Sequence, residues 1–103
     1  DAARRRYVAL FARRRALMAE ELARIPHLLW EPPDGAFYFF VDVSHYGDSL
    51  ALCQRILERR GVITVPGEAF GREGAGFVRM SFAAGEAQIV EGLARIRQEL
   101  AGA

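Results

Sequence analysis

The sequence predicts a small two-layer α/β (α+β) sandwich. Its sheet has roughly three strands, with helices mainly on one face, in the order helix, strand, helix, strand, strand, helix. Three observations predict it. Apolar residues recur at three- and four-residue spacings in three separate stretches, the mark of amphipathic helices. Short runs rich in aromatic and β-branched residues lie between them, the mark of strands. Proline and glycine stand at the junctions.

Residues 2–25 read as the first helix, with Tyr7, Leu10, Phe11, Leu17, Met18, Leu22 and Ile25 on one stripe. Glu20 and Arg24 are spaced as a favourable i,i+4 pair. Only Asp1 stands ahead of the helix as a cap, which leaves room for it to continue upstream, and Pro26 ends it. Residues 26–35, "PHLLWEPPDG", form a turn-rich connector, because residues before proline leave the helical region and "PDG" marks a turn. Residues 36–43, "AFYFFVDV", form a strand whose two faces are both apolar, which places it inside a covered sheet. After the loop 44–47, Asp48 caps a helix over 49–60, and Gly61 stops it. "VITV" at 62–65 reads as a short buried strand ended by Pro66 and Gly67. Residues 68–76 form a glycine-rich loop, and 77–83 the next strand. Residues 85–102 close the chain as a helix with Ile89, Val90, Leu93, Ile96 and Leu100 on one side. No helix separates 62–65 from 77–83, which allows an antiparallel pairing. The helix 49–60 fits a parallel crossover or a longer return equally well.

The 103 residues suit one domain, 1–103. Fourteen basic and 13 acidic groups leave a net charge of +1, which argues against a dedicated nucleic-acid binder. The "RRR" triplets at 4–6 and 13–15 lie about 900° apart around a helix, on opposite sides rather than along one stripe. No run reaches ~18 apolar residues, so no membrane span is expected and a cytoplasmic location is. The chain starts at Asp1 rather than methionine and so reads equally as a piece of something longer. Cys53, the only cysteine, falls at a helical apolar spacing and reads as a buried small hydrophobe. His27 and His45 sit in loops with no ligand spacing between them, so no metal site is expected. Asp34 and Asp42 suit a turn and a strand end, not an acid–base pair. All 14 basic residues are arginine, so no side chain here offers the primary amine that a Schiff base needs.

One arginine interrupts a strand. In "GFVRMSF", residues 76–82, alternation puts Val78, Met80 and Phe82 on one face and Phe77, Arg79 and Ser81 on the other. Arg79 then faces away from the helical layer, where it need not be buried unpaired. Its planar fork suits a carboxylate gripped by two parallel hydrogen bonds, and a rigid strand limits the entropy lost on binding. The plain alternative is a surface arginine or a partner for an internal Asp or Glu.

Context favours the carboxylate. Pro33, Gly35, Ala36, Phe37 and Tyr38 are followed by Gly61 and Val62, by Pro66, Gly67, Phe70 and Gly71, and by Arg79, Ser81 and Phe82. This series resembles the C-terminal small domain of class I/II, fold-type I pyridoxal-phosphate-dependent aminotransferases, the aspartate aminotransferase superfamily. The resemblance implies that Arg79 binds the α-carboxylate of an amino-acid or 2-oxo-acid substrate. It also puts Phe37 near the active site, with core packing as the alternative, and the "PGEAFG" loop near a domain interface. It implies pyridoxal 5'-phosphate in the full-length enzyme, held by a large domain of the same polypeptide, and a homodimer. The lysine-free 103 residues are then expected to be inactive alone, with no catalytic and no cofactor-binding residue of their own. Gly85 stands where the family often has Ser or Thr as a cap, and glycine is the weaker choice. Two other readings share the residues. One is a related pyridoxal-phosphate lyase, or an aminotransferase-like effector module of a transcription regulator. The other is a free-standing α/β module that binds amino acids and regulates a partner enzyme.

Overall fold

The computed structural model describes residues 1–31, 33 and 37–102. Apart from Pro33, the expected "PDG" turn and the strand start at Ala36 lie outside these residues. Among the described residues there are three α-helices and four strands: α1 (Ala2–Ala23), β1 (Leu29–Trp30), β2 (Tyr38–Asp42), α2 (Ser49–Arg60), β3 (Val65–Pro66), β4 (Phe77–Ser81) and α3 (Glu86–Ala101). The Asp1 carboxylate caps α1 by accepting from the Arg4 N–H at 2.8 Å. Met18, Leu22 and Ile25 of the predicted stripe are buried, whereas residues 2–9 are exposed. Arg24 pairs with the buried Glu21 at 3.1 Å, one turn position closer than the expected Glu20.

The second helix begins and ends where its caps predict. Asp48 accepts from the Ala51 N–H at 2.9 Å, and Gly61 takes the left-handed conformation (φ 67°) that a side chain would strain. Glycine has no side chain with which to cap α3, so Gly85 donates its own N–H to Gln88 Oε1 at 3.0 Å. This is one half of a capping box.

The sheet order is β1-β2-β4-β3, and every neighbouring pair is antiparallel. The first and last expected connections are therefore settled: β3 and β4 are antiparallel, while β2 and β3 run parallel on either side of β4, with α2 as their crossover. The fourth strand, β1, lies within the expected connector. Its two residues carry too short a pattern to be read from sequence. The strand expected at 62–65 narrows to Val65–Pro66, and Ile63 is 81% exposed rather than buried. Residues 62–64 carry the chain from the end of α2 down to the sheet, so they are not free to pair along β4.

All three helices cover one face. Phe39, Val41 and Val43 of β2 and its extension, with Val78, Met80 and Phe82, meet Leu22 of α1, Leu52 and Ile56 of α2, and Ile89, Leu93 and Ile96 of α3 in one core. A fully buried side chain such as Phe39 or Val78 contributes about 1.5–3 kcal/mol through the water it leaves. The cross-strand register places Phe39 opposite Met80 and Val41 opposite Val78 on this face. It places Tyr38 opposite Ser81 and Phe40 opposite Arg79 on the other. That second face has no helical layer among the described residues, contrary to the covered sheet expected around β2: Tyr38 is 41% and Phe40 40% exposed. The apolar residues there are real, but no helix of this chain reaches them.

Candidate functional site

Arg79 sits at the centre of β4, one of the two inner strands of the sheet. Phe40 of β2 and Val65 of β3 stand opposite it. Strand alternation turns its side chain to the face without helices, as the spacing predicts. There the guanidinium meets two rings. Its Cζ lies 4.3 Å from the ring centroid of Tyr38 and 4.3 Å from that of Phe70. Each such contact is worth about 0.5–1 kcal/mol when exposed and more when dry. No ion pair among the described residues involves Arg79. Asp42, the carboxylate of β2 on the same face, is held instead by Ser44, whose hydroxyl and N–H donate to it at 2.6 and 2.9 Å. These two bonds hold the Asp42 carboxyl below its ordinary pKa.

Aromatic rings floor the site. Phe40 lies 5.3 Å from Phe77 and 6.1 Å from Phe70, centroid to centroid. Phe70 comes from the "PGEAFG" loop, which folds into two consecutive 3-10 turns, Gly67–Phe70 and Arg72–Gly74. The turns close back to back. A Cβ on Gly67 would stand 2.1 Å from the Gly74 carbonyl oxygen, and one on Gly74 would stand 1.9 Å from that of Gly67. Only glycine at both positions permits this approach. A buried serine ties the loop to the core: Ser49 Oγ donates to Glu68 Oε1 at 2.6 Å and accepts from the Gly76 N–H at 3.0 Å.

Phe37 occupies a different place. It falls on the helix side of β2, in step with Phe39 and Val41. Its ring lies 4.7 Å from Phe11 of α1 and 6.3 Å from Phe82. It lines an open groove of about 300 Å³ with Tyr7, Phe11, Arg15 and Phe82. The structure does not bring Phe37 and Arg79 together.

The contacts of Arg79 with Tyr38 and Phe70, both residues of the motif series, are what the sequence does not reveal. Tyr38 shares the outward parity of β2, but its contact with Arg79 depends on a strand register that no local pattern reveals. Phe70 stood in a recognised motif whose backbone path was not legible. The two loop histidines were also missed as a pair: the His27 and His45 rings stack at 3.7 Å, 19° from parallel. Among the described residues no three His, Cys, Asp or Glu side chains gather as a metal set. Cys53 is buried among the apolar residues of α2, and that burial pushes its thiol pKa up.

Comparison with known proteins identifies the family of the chain. Residues 3–96 match the family model for aminotransferase class I and II. A probable aspartate/prephenate aminotransferase of Aquifex aeolicus is 44% identical over 94 residues, which cover 87% of this chain and 23% of that protein. The crystal structure of an aspartate aminotransferase from Thermotoga maritima superposes with a TM-score of 0.83 at 38% identity, over 92% of this chain and 24% of its own. An alanine aminotransferase from Pyrococcus furiosus gives 0.89 at 26% identity, over 96% and 26%. With a family match along nearly its whole length and about a quarter of the relatives' length in hand, the chain belongs to the class I and II aminotransferases.

Proposed function

We propose that residues 1–103 form the small C-terminal domain of a pyridoxal-phosphate-dependent aminotransferase, and that Arg79 binds the substrate's α-carboxylate. The observation that carries this reading is the guanidinium itself. It is fixed on a central strand, directed away from the core and paired with no carboxylate among the described residues. A carboxylate in its plane would accept two parallel N–H bonds, a strong and directional contact. An exposed floor of Tyr38, Phe40 and Phe70 beside a cation supports a second body covering this face, here the large domain of the same polypeptide.

The family implies pyridoxal phosphate in its full-length enzymes. That cofactor supplies an electron sink for proton loss at the substrate's Cα. This chain has no lysine and offers no side-chain amine to hold it, so the covalent anchor lies outside residues 1–103. The isolated chain is inactive in this reading. Its part is orientation: Arg79 fixes one end of the amino acid, so that the reacting atoms meet in a defined geometry. A homodimer of the complete enzyme belongs to the same reading.

The test is Arg79→Ala in the complete polypeptide. Steady-state kinetics should show a raised KM and a kcat/KM lower by about 3 kcal/mol, roughly a hundredfold, the loss of a charged bidentate contact. Unchanged kinetics for amino-acid substrates would remove Arg79 from the binding site.

A further inference from the structure

We propose that Tyr38 and Phe70 are positioning residues for Arg79: their rings hold the plane of the guanidinium and dry its faces, leaving its N–H edge to a carboxylate. This rests on the carboxylate reading of Arg79 and adds to it two residues and a basis for selectivity. The rings come from the two flanks of β4. Tyr38 lies on β2, two positions before the residue paired with Arg79. Phe70 lies on the turn that continues β3. Both centroids are 4.3 Å from Cζ, and Phe70 makes its ring pair with Phe40, not with Tyr38. The two rings therefore bracket the cation rather than stack as a unit on one side.

A guanidinium without an anionic partner ordinarily stays in water at the end of a flexible stem. Here it is half-buried although the carboxylate on its own face, Asp42, is tied to Ser44. The rings do what an ion pair would otherwise do, without consuming the hydrogen-bond edge. A ring face attracts the cation but accepts none of the in-plane N–H bonds. A charged, planar acceptor therefore benefits from the bracket, and a neutral amide of the same shape gains much less. The loop geometry shows the same emphasis on position, because the Gly67–Gly74 contact and the Ser49–Glu68 bond both fix the turn that carries Phe70.

The experiment compares two competitive ligands of the complete polypeptide, a 2-oxo acid and its 2-oxo carboxamide. Wild type should favour the acid. Tyr38→Leu and Phe70→Leu should each weaken the acid about tenfold while moving the amide less than about twofold. Tyr38→Phe and Phe70→Tyr keep a ring and should keep the preference. A second readout needs no ligand: in the 103-residue chain, the Arg79 Nε–H proton resonance should lie upfield from ring currents and move downfield in both leucine variants. Equal weakening of acid and amide marks a packing role and overturns the proposal, as does an Nε–H resonance that does not move. If Arg79→Ala abolishes the preference and neither leucine variant reduces it, the bracket falls and the carboxylate reading stands. A preference retained in Arg79→Ala overturns both.

Discussion

Glu99 shows how one residue can hold two helices together. Its side chain is 6% exposed, near the end of α3, and three arginines of α2 surround it. Arg55 Nε lies 3.0 Å from Oε2, Arg59 Nε 3.2 Å and Arg60 Nε 3.0 Å from Oε1. Burial is the largest influence on its pKa and pushes it up. The Arg60 hydrogen bond and the charges of Arg59, Arg60 and Arg55 together outweigh it, and the carboxyl rests below its ordinary value near 4.5. The sign follows from linkage. A depressed carboxyl contributes stability that is complete above its unfolded value and is lost as pH falls through the folded one. Glu99→Gln should therefore lower the thermal midpoint at neutral pH, by leaving three guanidiniums without their common anion. The gap to wild type should narrow as the buffer is taken below about pH 4.5. A gap constant from pH 7 to pH 3 would contradict this. None of it was legible in the sequence. The arginines and Glu99 are some forty residues apart, and only the helix packing joins them.

At the scale of the element, legibility followed the length of the pattern. Helix α2 was readable to the residue because Asp48 and Gly61 carry their own cap chemistry. Strand β4 was readable in its facing, since five alternating positions fix which side chains go inward. Two-residue strands hold no period, so β1 was missed and β3 was set too early. The 67–74 loop was readable as glycine-rich and no further, because the need for two of those glycines is a contact between backbones. Gly67→Ala or Gly74→Ala forces a Cβ into a carbonyl and should cost about 3 kcal/mol or more. Denaturant unfolding of the 103-residue chain should show this. Either change should also shift Phe70 and hence the Arg79 Nε–H resonance. Gly92→Ala meets no atom within 4 Å and lies in α3, where alanine is the better helix former, so it should match or exceed wild-type stability.

For the whole molecule, the sequence conveyed the layer order and the direction of Arg79, but not that one face would stand bare. The aromatic residues of β2 predicted a covered sheet, and among the described residues no helical layer covers that face. Such a face should favour self-association of the chain. Phe40→Ser should raise the solubility limit of the 103-residue chain, at a stability cost of about 1–3 kcal/mol from the lost ring pairs with Phe70 and Phe77. Sedimentation of both proteins at matched concentrations would measure the difference; equal self-association would mean that the face does not drive it.

The interior position of β4 has a mechanical consequence. The backbone of β4 is laddered to β2 on one side and β3 on the other. Arg79 therefore cannot advance on a ligand as a residue on a hinged loop could. Any large change in its distance to a neighbouring body must carry the four strands and the helices behind them along as one rigid piece. The precision of such an approach is set by how that whole piece pivots, not by the freedom of a single side chain.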